Sequence, residues 1–225
     1  SKGWIIEDCE IWGSKCAGIS LGKYCDPAND HFFTTKHVKS PTQMERDAVC
    51  RGQYHGWLKE KVGSHIIRRN NIHNCEQGGI IGRMGGVFSI IEDNHIHHIN
   101  NMMELGGAEI AGIKMHAAID VVMRRNHIHN CTMGIWTDWE AQGTRITKNL
   151  LHDNERPSYA KQLEGGMMCQ DLFVEVGHGP TLIDNNILLS DASLRFATEG
   201  VALVHNLICG AFTIVGGGTG WRYTP

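Results

Sequence analysis

At 225 residues and a formal net charge of −3, the chain is long enough for one large domain with a sizeable core, or for two small ones. Its 41% apolar and 20% charged residues exclude a disordered chain, and its longest apolar runs are too short for a transmembrane helix. A pI near 6.5 gives no reason to expect a nucleic-acid partner.

Ser1-Lys2-Gly3-Trp4 does not read as a natural start, nor Arg222-Tyr223-Thr224-Pro225 as a natural stop. A segment of a longer protein is therefore expected, the lack of a signal peptide carries little weight, and a cytoplasmic setting is the working expectation. Eight cysteines, at 9, 16, 25, 50, 75, 131, 169 and 209, include no CxxC pair. In a chain of this size they read as reduced, mostly buried thiols, with one or two disulfides as the alternative.

One short pattern recurs along the chain: apolar, two variable residues, Asn, one variable residue, apolar. It opens with a degenerate copy, Ile6…Cys9…Ile11, with cysteine in the asparagine slot. Clear copies follow at Ile67…Asn70…Ile72, Ile91…Asn94…Ile96, Met123…Asn126…Ile128, Ile146…Asn149…Leu151, Leu182…Asn185…Ile187 and Leu203…Asn206…Ile208. Slots 24, 23 and 21 residues apart define the basic period, and intervals of 61, 32 and 36 place insertions near 22–60, 100–108 and 155–168. Each unit holds short, alternating β-rich runs divided by Gly, Asn and Asp, and no helical stripe persists. The pattern predicts an all-β parallel β-helix over 1–225, each unit one coil, and the general preference for right-handed parallel crossovers makes it right-handed. Leucine-rich repeats have a similar period, but their signature is absent.

The Asn column is expected to be structural, with Asn tolerating left-handed backbone at a tight turn and bonding the next coil. Three residues later stand His73, His97, His129 and His152. A stacked ladder explains that row better than a metal, which wants convergent nitrogens rather than a line.

A Gly-Ile step marks the next phase: Gly79-Ile80, Gly112-Ile113 and Gly134-Ile135, with Asp171-Leu172 in the following unit. One residue past it the column reads Ile81, Lys114, Trp136 and Val174; three past it, Arg83, His116, Asp138 and Glu175. The latter column is titratable throughout and never repeats a residue, unlike a fold-maintaining ladder. Adjacent coils lie about 4.8 Å apart, so Asp138 and Glu175 are expected roughly 5–6 Å from each other. Two carboxylates so placed repel and raise one pKa, which suits a retaining glycosidase with one ionised nucleophile and one protonated acid. The competing reading is a solvated or neutralised pair, with Lys114, Arg83 or Arg145 as the counter-charge. Trp136, Trp139 and His178 flank the pair, with Phe173 close by, and suit sugar stacking or ordinary packing. Glu109 adds a third carboxylate, and Lys114 and His116 bind substrate hydroxyls or neutralise the acids.

The stretches Gly134–Asn154, Asp171–Asn186 and Gly112–Asp120, with their WxDW and FVEVxHGP motifs, resemble glycoside hydrolase family 120. The resemblance runs over roughly 105–190. It implies a retaining β-xylosidase acting on short xylo-oligosaccharides, with Asp138 as nucleophile, Glu175 as general acid/base and Glu109 in substrate binding. It also implies a longer protein with earlier coils and a β-sandwich domain. No metal or organic cofactor is required. The expected partner is an oligosaccharide, with no nucleic acid and no membrane, and self-association left open. Two other readings stand beside it: a polysaccharide lyase using Lys114 or Arg83 as base, and a non-catalytic carbohydrate-binding solenoid.

Overall fold

The computed structural model describes residues 1–22, 54, 58–105, 109–158 and 169–215. Each unit folds as one coil of three short strands. The first coil holds β1 (Ile5–Glu7), β2 (Glu10–Trp12) and β3 (Ala17–Ser20), and the second β4 (Ile66–Arg68), β5 (Asn71–Cys75) and β6 (Gly78–Arg83). The third holds β7 (Ile90–Glu92), β8 (His95–Ile99) and β9 (Ala111–His116), and the fourth β10 (Val122–Arg124), β11 (His127–His129) and β12 (Ile135–Thr137). The fifth holds β13 (Thr144–Thr147), β14 (Leu150–His152) and β15 (Leu172–Glu175), and the sixth β16 (Thr181–Asp184), β17 (Ile187–Leu188) and β18 (Ala192–Ala197). The seventh holds β19 (Val201–Val204), β20 (Leu207–Ile208) and β21 (Ala211–Ile214). First, second and third strands stack separately into three parallel sheets of seven strands. We call these sheets 1, 2 and 3.

The apolar slots of the repeat become columns. Ile67, Ile91, Met123, Ile146 and Ile183 stack inside sheet 1, and Ile72, Ile96, Ile128, Leu151 and Leu188 inside sheet 2. Ile80, Ile113, Ile135, Leu172 and Leu194 stack inside sheet 3. All fifteen are fully buried, one continuous core along the solenoid axis. The glycine of the Gly-Ile step sits where sheet 3 begins. A Cβ on Gly134 would meet the Asp171 carbonyl oxygen at 2.3 Å and Leu151 at 2.5 Å, so the coil spacing itself demands glycine there.

The corner between sheets 1 and 2 holds the asparagine ladder, with two corrections. Asn70, Asn94, Asn126 and Asn149 each donate from Nδ2 to the Oδ1 of the next Asn at 3.0, 3.0, 3.0 and 2.9 Å. The next member is Asn186, not Asn185, and it continues to Asn206 at 2.9 Å. Asn186, not Asn185, stands three residues after the core residue Ile183 and two before Leu188. The left-handed residue is also not the ladder Asn but the one before it: Asp8, Arg69, Asp93, Arg125, Lys148, Asn185 and His205 all have φ between 52° and 57°. The ladder Asn instead caps the turn, its Oδ1 accepting the backbone N–H of the Asn one coil earlier. Cys9 fills the first slot as expected, its N–H bonding Asn70 Oδ1 at 3.1 Å.

Beside the ladder run ion pairs that the repeat pattern did not single out. Arg68 bonds Glu7 at 2.6 Å, Arg69 bonds Asp8 at 2.7 Å, Arg124 bonds Glu92 at 2.7 Å and Arg125 bonds Asp93 at 2.7 Å, so charge alternates from coil to coil. The second expected row is present: His73, His97, His129 and His152 stack at 4.9, 5.1 and 4.9 Å with nearly parallel rings, and Trp12 extends the stack at 6.5 Å.

Cys9, Cys16, Cys75, Cys131, Cys169 and Cys209 are free thiols, half of them buried. Most of the insertion near 22–60, and residues 106–108 and 159–168 of the other two, lie outside the described residues.

Candidate active site

The outer face of sheet 3 carries the two columns expected from the sequence, with one correction. Register pairs Ile81 with Lys114, Lys114 with Trp136, and Trp136 with Phe173 rather than with Val174. Val174 points inward and belongs to the core. The column then continues to Arg195 on the sixth coil, whose guanidinium lies 5.4 Å over the Phe173 ring. Sequence reasoning stopped one coil short of it, although Arg195 follows the core residue Leu194 just as Phe173 follows Leu172.

In the second column Arg83 pairs with His116. Asp138 and Glu175 stand one step beyond the Thr137–Val174 pair, and the Glu140 N–H bonds the Val176 carbonyl at 3.1 Å, so the register holds on both sides of them. The two carboxylates therefore occupy one column on adjacent strands, about 4.8 Å apart at the backbone.

Their surroundings are opposite in character. Lys114 is fully buried; its Nζ donates to Asp138 Oδ2 at 2.6 Å and lies 3.1 Å from the centre of the Trp136 ring. His116 Nε2 stands 3.0 Å from the same oxygen and 3.2 Å from Glu109 Oε1, in ion-pair contact but out of line for a hydrogen bond. The Trp139 N–H donates to Asp138 Oδ1 at 2.7 Å. Burial opposes ionisation of Asp138, but Lys114 and His116 outweigh it and hold the carboxyl well below the usual range. Burial and the Asp138 charge instead push Glu175 up, while Lys114, Arg195 and the N–H donated by Trp136 Nε1 to Oε2 at 3.2 Å work the other way. Burial pulls His116 down, but the Asp138 and Glu109 carboxylates reverse that and keep it raised, so it stays cationic more readily. Glu109 is lowered, burial being outweighed by His116 and Lys114.

Six of the eight expected site residues thus form one contact network: Glu109, Lys114, His116, Trp136, Asp138 and Glu175. Trp139 joins it from behind. Its ring is buried and stacks on His116 at 4.5 Å, closing a small apolar cluster with Met84, Ile119 and Val176. Trp136 is also buried, so both tryptophans brace charged groups. His178 is exposed on the turn after β15, and among the described residues no hydrogen bond or ring contact ties its side chain to the pair. Arg145, one of the expected counter-charges, points elsewhere and bonds Asp184 at 2.8 Å. A cavity of about 200 Å³, lined by Gln77, Ile81, Arg83 and Glu109, adjoins the network.

Glu109, His116 and Asp138 offer three ligand atoms within 4.8 Å of one another, a set able to hold a cation. The Lys114 ammonium already faces Asp138 from that network, so a divalent ion there would stand beside a fixed positive charge.

The described architecture and the match of residues 1–188 to the family model for the right-handed β-helix region place the chain in that family. A solved structure, described as the complex structure of XylC with xylose, is similar to it at 46% identity and a TM-score of 0.82. The likeness covers 96% of this chain but 31% of XylC, so the chain spans about a third of that protein's length. It bears out the resemblance to glycoside hydrolase family 120. No curated protein matches the chain significantly.

Proposed function

We propose that this chain carries the catalytic pair of a retaining, exo-acting glycoside hydrolase, a β-xylosidase acting on short xylo-oligosaccharides. The observation that carries the reading is the divergence of two neighbouring carboxyls: Asp138 held ionised by Lys114 and His116, Glu175 raised by burial and by Asp138. The similarity to XylC, solved with xylose, supports the sugar class.

In this reading an Asp138 carboxylate oxygen attacks the anomeric carbon while Glu175 gives its proton to the departing glycosidic oxygen. Trp136 Nε1 donates to Glu175 Oε2, which leaves Oε1 to carry that proton. The ionised Glu175 then takes a proton from water, the water oxygen attacks the anomeric carbon, and Asp138 leaves as carboxylate. Adjacent coils suit this double displacement, because the two carboxyls need only about 5–5.5 Å between them. The lyase reading loses a base, since Lys114 is committed to Asp138 as an ammonium.

The test is azide rescue with nitrophenyl β-xylosides in the full chain. Asp138→Ala should abolish nearly all turnover. Glu175→Ala should show an initial burst and a slow second step, accelerated by azide to the retained β-xylosyl azide. Inverted azide product from Glu175→Ala and retained product from Asp138→Ala would exchange the two roles. Near-native rates in both variants would make the pair structural.

A further inference from the structure

The outer face of sheet 2 carries a second row of imidazoles beside the first. Strands β8 and β11 read His-Ile-His, so His95 and His127 point outward beside His97 and His129. His95 and His127 stack at 4.9 Å, parallel to the first row. The two rows meet along diagonals: His95 Nε2 lies 2.8 Å from His129 Nε2, and His127 Nε2 lies 2.8 Å from His152 Nε2. Nitrogens that a single row would hold in a line are thus brought together by the second.

The far sides of the His129 and His152 rings are already engaged. His129 Nδ1 lies 2.6 Å from Asn130 Oδ1, and His152 Nδ1 lies 2.7 Å from Asp153 Oδ2. An acceptor at Nδ1 fixes the N–H there and leaves the Nε2 lone pair free, the orientation that metal-ligating histidines need. Without a cation, His95 and His127 donate their Nε2 protons to those lone pairs. The ligand atoms of His95, His127 and His129 lie within 4.8 Å of one another, and all three rings are half-buried.

We propose that His95, His127 and His129 bind one divalent transition cation of the imidazole-preferring class, with Zn²⁺ as the reference ion, bridging the third and fourth coils. Tetrahedral Zn²⁺ with Zn–N of about 2.0–2.1 Å needs nitrogens about 3.3 Å apart, so the His95–His129 contact opens by about 0.5 Å. The Nε2 protons of His95 and His127 pass to Nδ1 by exchange with water, and the neutral rings ligate. Water or His152 Nε2 completes the fourth position. The site lies on sheet 2 and the carboxylate pair on sheet 3, so it acts as a clip between coils.

Tag-free protein, stripped with chelator and dialysed against Zn²⁺ or Co²⁺, should retain one ion per chain after desalting. Co²⁺ should give the intense visible bands of a tetrahedral nitrogen site, bleached by Zn²⁺. The variants His95→Gln and His129→Gln should each lose retention while their apo forms still unfold cooperatively; the outward-facing control His73→Gln should keep both ion and bands. If either variant fails to fold, the parent's Co²⁺ spectrum decides alone. No retained ion, an octahedral Co²⁺ spectrum, or retention equal to the parent's in His95→Gln and His129→Gln overturns the proposal.

Discussion

Replacing Lys114 by methionine removes the ammonium 2.6 Å from Asp138 and leaves a long apolar side chain in a fully buried position. Deleting one partner of a buried ion pair costs about 3–5 kcal/mol, because the surviving charge is left uncompensated. Asp138 keeps His116 at 3.0 Å and the Trp139 N–H at 2.7 Å, which sets the expected loss near the lower figure. At about 2–4 °C per kcal/mol for a chain of this size, a loss of about 3 kcal/mol lowers the melting midpoint at neutral pH by roughly 6–12 °C. The dependence on pH has a definite sign. In the parent the folded-state pKa of Asp138 is depressed, so its stabilisation is complete above the unfolded carboxylate value and is lost as pH falls through the folded one. The variant raises that folded value. The gap between parent and variant is therefore widest at neutral pH and narrows in acid, as Asp138 protonates first in the variant. Under the proposed mechanism the same change should move the acidic limb of xyloside hydrolysis upward, since Asp138 must be ionised to attack. Thermal unfolding followed by circular dichroism at neutral pH and near pH 4, with a pH–rate profile, tests both. An unchanged midpoint at neutral pH, or a gap that widens in acid, refutes the role assigned to Lys114.

Trp136→Phe removes the N–H that favours the ionised form of Glu175, so the alkaline limb of the pH–rate profile should move further up; a downward move would contradict the contact. Asn126→Ala deletes two donated bonds, to Ile91 O and Asn149 Oδ1, and leaves both the N–H and the side-chain amide of Asn94 without their acceptor. At about 1–3 kcal/mol for each of the two stranded donors, urea denaturation should show a loss of about 2–6 kcal/mol, and a smaller loss for Asn206→Ala, whose bonds from Asn186 are only part-buried.

The repeat could be read from the sequence because sterics and burial write it in few letters. Only an apolar residue fills the inner columns and only Asn makes the reciprocal bonds of Asn94 or Asn126, so both recur. Two asparagines adjoin at 185 and 186, and the core spacing from Ile183 to Leu188 is the signal that assigns the slot to Asn186. Alternation counted from the core residue Leu172 likewise puts Phe173, not Val174, on the outer face. The Asp138–Glu175 column was legible because it breaks the repetition. What the ring of Trp139 does was not, since side-chain direction at a strand end depends on the turn that follows. The pairing of His95 with His129 joins residues 34 apart, on neighbouring coils and in different rows. A pattern read down single columns does not reveal such diagonals.

The stacked strands separate chain length from reach. Trp136 and Glu175 are 39 residues apart and Asn126 and Asn149 are 23, yet each pair sits on neighbouring coils. Extra residues between strands leave the rung height unchanged, because the interstrand hydrogen bonds fix it. The gap between two acids on this face is thus quantised in steps of about 4.8 Å. One step gives the separation suited to a covalent sugar intermediate, and two steps give room for an intervening water and the opposite stereochemical outcome. A lineage built on this scaffold could therefore change its substrate by lengthening loops, whereas changing its stereochemistry would require moving a carboxylate by one whole coil.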